Sequence, residues 1–436
     1  MDPDLPASSA PQPEAPNDSG ESPPLHRRSH RRRPPAWWRH TFSSLGERDY
    51  RYMWFAMFAF MGGVQMSFVA MGYLAYDLTG SATRLGFVHG AQAVPMIVLA
   101  LFGGVIADRF DRKRVMQAGQ LLAGAVGLFV AFAVWTDTAT WYHLMVMGFV
   151  YGTVFDVTMP ARQAAIPQLV DRRHIGNAVA LNGALLSTTF LIAPGVGGVL
   201  YAFAGADVVF FLIAGLGFLS VALTGFLPTL RPTEHKVRAV FSEIKAGLQY
   251  VGRTPTIRLL LILTLITASL AIPFRFVLPV FVVDVYERGP EALGLLVSIM
   301  GIGSLAGSLV LATMRKARRG IILILAGGLS GLALLVLSAV PIFAVAAVLM
   351  VVLGVADTSR RTLTHTLIME HGDPEYRGRT MSLYLMTFGL VPLVVMPIGF
   401  AIEHFSGQLV IGAMAVALLV ATAAILLTQK KLRELS

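Results

Sequence analysis

The chain has 436 residues, 55% hydrophobic and only 14% charged, with a mean hydropathy of +0.66. Soluble domains carry roughly a quarter charged residues, so a string of ordinary soluble domains is excluded. Cysteine is absent, which rules out disulfides and thiolate metal sites, and the net charge of +10 is distributed in a way that argues against a nucleic-acid partner.

Residues 1–35 hold nine of the 23 prolines with Ser, Asp and Glu, and are expected to be disordered. Within a basic tail reaching residue 50, Arg27, Arg28, Arg31, Arg32 and Arg33 precede Trp37 and Trp38. That pairing suits anionic headgroups and the interfacial belt, although a solvated tail that only enforces topology explains it as well. No cleavable signal peptide is evident, because the first apolar segment is long and begins after residue 50.

Twelve apolar segments follow, each near the roughly 20 residues of a helical span. They fall at about 52–78, 85–107, 115–135, 140–162, 177–201, 206–228, 257–284, 292–313, 320–339, 341–361, 380–403 and 408–428. Alternate connections, with both chain ends, collect 32 of the 35 Lys and Arg residues. The other side has only Arg84 and Arg288, and Arg275 lies inside a span. Positive charge stays cytoplasmic, so both termini are expected on the cytoplasmic side of the membrane. A basic surface for nucleic acid does not produce this alternation.

Between the second and third segments lies GGVIADRFDRKRV, residues 103–115, a short and densely charged turn. Asp108 ends the second span on the cytoplasmic face, where a carboxylate suits the positive N-terminus of a helix starting there. Arg112 is placed to reach Asp156, whose depth within the fourth span calls for a partner. The pattern G-x-x-x-D-R-x-x-R-K resembles the loop signature of the major facilitator superfamily of secondary transporters. The resemblance implies an all-α integral membrane protein with twelve transmembrane helices in two pseudo-symmetric six-helix bundles. It also implies that the eleventh span, starting near Arg379, receives Asp108. Gly104, Asp108, Arg109, Arg112 and Asp156 would then form a conformational latch; the blander alternative is charge that only fixes topology. Asp111 stands where the family usually has glycine.

The chain also repeats at an offset of about 202 residues: Gly104 aligns with Gly307, Arg112 with Arg315 and Lys113 with Lys316. Two bundles, 51–228 and 257–428, are expected, with a tail at 429–436. The linker 229–256 places Val240, Ile244, Leu248 and Val251 on one face of a surface helix. In the fifth span, Pro194, Gly197 and Gly198 resemble the drug and proton antiporter signature G-x-x-x-G-P-x-x-G-G, with Thr189 and Ala193 replacing two glycines. Ordinary helix packing also uses such residues. The segments 159–182 and 373–384 resemble the bacterial enterobactin-exporter and macrolide-efflux branch. The resemblance implies a proton-coupled exporter of a siderophore, macrolide or other hydrophobic small molecule, acting by alternating access.

Pathway candidates are Gln65, His89, Gln92, Asn182 and Arg275, of which Arg275 is the most telling because an arginine within a span is expensive. Most lone polar groups in spans merely satisfy a neighbouring helix. Proton-coupling candidates are Asp77, Asp156 and Asp357, the last followed by Arg360 and Arg361. No phosphate loop occurs, and no catalytic, metal or cofactor site is visible. The expected partners are a small-molecule substrate, protons and the lipid bilayer, with a monomeric chain. The alternatives are a lipid or lysolipid flippase of the same fold, or a non-transporting membrane receptor or scaffold.

Overall fold

The computed structural model describes residues 41–99, 109–230, 240–314 and 318–435. Gly104, Asp108, Arg315, Lys316 and the tail arginines lie outside them. Among the described residues, eleven helices are long and apolar enough to cross a membrane. In the first half these are Arg48–Asp77, Arg112–Trp135, Trp141–Leu169, Ile175–Ala204 and Ala206–Gly225, the first, third, fourth, fifth and sixth spans. The expected second span is described as Ala82–Gly90 and Ala93–Leu99, its remainder falling outside the described residues. In the second half the seventh span runs Pro255–Ala271 and Pro273–Val280 and ends in a π turn, Phe281–Val285. Pro290–Thr313, Arg319–Ala339, Phe343–His371, Arg377–Phe405 and Gly407–Thr428 complete the eighth to twelfth.

Helix starts follow local chemistry. Pro255, Pro273 and Pro290 occupy first-turn positions, where a missing N–H is harmless. Asp111 caps the third span: its Oδ1 accepts from Lys113 N at 2.9 Å and from Leu230 N at 3.3 Å. The residue that departs from the family pattern therefore fastens the start of the third span to the exit of the sixth. The connecting helix Val240–Arg253 exists, and Val251 of its expected apolar face packs against the second-half core. Gly247 and Tyr250 are buried against the eleventh span, with Tyr250 stacked on Tyr376 at 4.4 Å, while Leu248 is 56% exposed. Aromatic stacking and a glycine contact set the rotation there, ahead of the aliphatic stripe.

Among the described residues, the two halves share a buried core at one end. A single buried cluster takes in Met71, Leu85 and Phe210 from the first half and Phe281, Leu296 and Val395 from the second. At the end bearing the charged connections each half has its own cluster, one around Tyr50 and Ala165, the other around Ile257 and Leu367. Glycines set the joint. A β-carbon at Gly198 would lie 2.5 Å from the Pro290 carbonyl oxygen, and one at Gly294 2.5 Å from that of Pro194. Gly399 is equally tight against Ala82, and Gly86 would meet Val395 O at 3.0 Å. The fifth span thus abuts the eighth and the second abuts the eleventh. Toward the charged end, by contrast, Gly183 of the fifth span has nothing within 4 Å of where its β-carbon would sit. The halves meet at one end and part toward the other.

Gly198→Leu and Gly294→Leu should each overpack this joint, a change of about 1–3 kcal/mol, and lower the thermal unfolding midpoint in detergent. Gly183→Leu should leave that midpoint unchanged.

Candidate functional site

Between the halves lies a cavity of about 300 Å³. Its wall comes from the first span (Gln65, Phe68, Met71), the second (Gln92, Met96), the fourth (Tyr151, Phe155), the seventh (Phe274, Arg275), the tenth (Asp357, Arg360, Arg361) and others. The wall is mostly apolar, so each polar group on it is conspicuous.

Arg275 comes from just beyond the Pro273 joint of the seventh span. Its guanidinium carbon is 4.2 Å from the ring centre of Phe68 and 4.3 Å from that of Phe190. Two rings from the first half thus hold a cation from the second. Its Nε is buried without a hydrogen-bond partner, as is Gln65 Nε2 across the cavity wall. On the tenth span Asp357 gathers two arginines from the following turn: Oδ1 accepts from Arg360 Nη2 at 2.6 Å, and Oδ2 from Arg361 Nε at 2.9 Å. Arg360 Nε remains unpartnered.

The other candidates are placed less centrally. Gln92 lines the cavity. His89 is 1% exposed, set between Phe68 and Phe276 at ring-centre distances of 5.6 and 5.0 Å, and is absent from the lining. Asn182 also stands off the lining, half-buried on the fifth span. Asp77 is exposed at the end of the first span, away from the cavity. Pro194, Gly197 and Gly198 lie at the joint, Gly197 against Met66 and Gly198 against Gly294. Beside them Gly195 N donates to Ser298 Oγ of the eighth span at 2.9 Å.

The expected pairing of Arg112 with Asp156 is not found. Arg112 is 4% exposed; its Nη1 donates to the Ala164 carbonyl at 3.0 Å, and its backbone N–H to that of Leu230 at 3.1 Å. Asp156 keeps Oδ2 buried with no hydrogen-bond partner. The arginine lies along the last turns of the fourth span and satisfies carbonyls there, so its reach runs away from Asp156. Arg109 is exposed.

Two polar contacts unforeseen in the sequence join the halves at the closed end. Tyr76 Oη donates to Asp284 Oδ2 at 2.5 Å. Glu403 Oε2 accepts from Ser81 Oγ at 2.9 Å and from Thr83 N at 3.1 Å. The sequence signal was present, as acidic residues at the ends of spans seven and eleven, but a carboxylate there has no partner assignable from spacing alone.

Asp357→Asn should destabilise the protein by on the order of 3 kcal/mol, because it leaves two cations close together without their shared carboxylate. Pairing it with Arg360→Gln should recover part of the loss, read as a coupling in a double-mutant cycle of thermal unfolding.

A family model described as a transmembrane secretion effector matches residues 39–436. The multidrug efflux pump Tap of Mycobacterium tuberculosis (strain ATCC 25618 / H37Rv) is 26% identical over 341 residues, covering 76% of this chain and 81% of that protein. The staphyloferrin A transporter of Staphylococcus aureus (strain NCTC 8325 / PS 47) is 23% identical over 353 residues, 79% and 87% of the two chains. An uncharacterized MFS-type transporter, YfiS of Bacillus subtilis (strain 168), is 27% identical over 56% of this chain, which spans only 58% of that relative. Among solved structures, the nucleoside transporter NupG superposes with a TM-score of 0.68 at 14% identity, over 88% of this chain and 99% of NupG, a likeness of fold alone. The twelve-span architecture is therefore the major facilitator fold, and the chain belongs to the transmembrane secretion effector family of that superfamily.

Proposed function

We propose that this transporter exports a hydrophobic small molecule by alternating access, drawing on the proton gradient across a bacterial cytoplasmic membrane. The observation that carries the proposal is the cavity: it lies between halves that touch at one end and separate toward the other. Rocking the halves about that cavity exposes it to each side in turn. Kinship with the multidrug efflux pump Tap supports efflux as the direction.

In this reading the charged connections face the cytoplasm, with both termini, and the chain works as a monomer of two bundles. The contacts at the opposite end, Tyr76 with Asp284 and Glu403 with Ser81 and Thr83, must break for cargo to leave. The charged turn carrying Asp108, Arg109 and Arg112 would close the cytoplasmic end. Asp156 is assigned the coupling proton, because its Oδ2 is buried without a partner and protonation relieves an unpaired carboxylate within a span. Asp357, already neutralised by two arginines, is assigned a structural part.

Cells expressing the protein should accumulate less of a hydrophobic test compound, with the difference abolished by a protonophore. Asp156→Asn should remove the dependence on the gradient with normal membrane expression. Gradient-insensitive accumulation, with labelled lysolipid crossing reconstituted vesicles, would instead identify a lipid flippase; no flux of either kind would leave a scaffold.

Asp108→Asn and Arg112→Ala should shift spin-label distances between the cytoplasmic ends of the second and eleventh spans toward the open form and lower transport. The cysteine-free background makes each label unique. Unchanged distances and flux would reduce the turn to a topology signal.

A further inference from the structure

The charges facing the cavity do not balance. Arg275, Arg360 and Arg361 line it against one carboxylate, Asp357. Both oxygens of that carboxylate are engaged, one by Arg360 and the other by Arg361. Among the described residues, Arg275 forms no ion pair with Asp357, the carboxylate on that wall. The wall therefore carries more positive than negative charge among the described residues.

The Nε groups of Arg275 and Arg360 and the Nε2 of Gln65 are buried without acceptors. A buried donor left unsatisfied is unfavourable, and an acceptor that reaches it as the wall adjusts recovers that deficit. With Phe68 and Phe190 packed on the Arg275 guanidinium, its in-plane N–H edge is what remains for cargo. That edge matches the two oxygens of a carboxylate, phosphate or sulfonate. An ammonium group would be repelled, and an uncharged cargo would leave the excess charge in place. The remaining wall, with Met71, Phe155 and Met350, favours an apolar body.

We infer that the cargo is an amphipathic anion, its acidic group held by Arg275 and Arg360 and its hydrophobic body against the apolar wall. This rests on the transport reading for the cavity's purpose but not for its chemistry. The acidic group can belong to a free small molecule or to a lipid headgroup, and both offer the same oxygens.

The test uses the full chain in phosphatidylcholine nanodiscs and three probes with one aromatic body: naphthylacetate, naphthylacetamide and naphthylethylammonium. Naphthylacetate should bind roughly tenfold more tightly than the amide, and the ammonium most weakly. Arg275→Gln should abolish the preference for naphthylacetate over the amide, and Arg275→Lys should fall between. Equal binding of acetate and amide, tighter binding of the ammonium, or no binding of the acetate overturns the inference. The wild-type comparison needs no variant to fold. If phosphatidylglycerol in the nanodisc displaces naphthylacetate, the anion site stands and its source is the lipid headgroup; if it does not, the site takes a free anion. An anion preference without gradient-driven efflux would reject the export reading alone, whereas gradient-driven efflux without that preference would reject this inference alone.

Discussion

Close approach of backbone to backbone at one end of the molecule is the constraint on which the rest depends. Inside a bilayer, helices gain nothing by leaving lipid for each other's apolar side chains, so association relies on tight packing and on polar contacts. Gly198 against Gly294 and Gly399 against Ala82 provide the first, and Tyr76 with Asp284 provides the second. Where such pairs occur the halves share a core; where the fifth span carries Gly183 facing empty space, they do not. An asymmetric joint of this kind defines a pivot and leaves a space between the halves.

The polar groups in that space are held by the halves themselves. Asp357 and its two arginines belong to one helix and need no partner from across the cavity, so they survive relative movement of the bundles. The Arg275 clamp is different, because Phe68 and Phe190 lie in the first half and the arginine in the second. The cation–π contact therefore ties a second-half cation to two first-half rings.

Much of the architecture was legible from one sequence, since spans are long apolar runs. The linker helix followed from the same pattern, whereas the break of the second span between Gly90 and Ala93 was not foreseen. What failed was rotation and reach. Leu248 belonged to an apolar stripe yet faces outward, because Gly247 and Tyr250 offered closer packing. Arg112 was assigned to Asp156 on spacing, but its side chain satisfies the Ala164 carbonyl. Arg275 stood out through the expense of a charge in a span, whereas Phe68 and Phe190 could not, because aromatic residues are common in spans and their role depends on three helices converging. Asn182 and His89 show the reverse: polar residues in spans that the fold keeps off the cavity wall.

The seventh span also has a mechanical consequence. Proline at position 273 interrupts its hydrogen-bond ladder immediately before Arg275, and the helix continues as Pro273–Val280 into the π turn that carries Asp284. One short, stiff lever therefore has the cavity arginine near its fulcrum and the outer carboxylate at its tip. A small swing about residue 272 would displace the guanidinium slightly and the Asp284 carboxylate more, because the carboxylate lies farther along the helix.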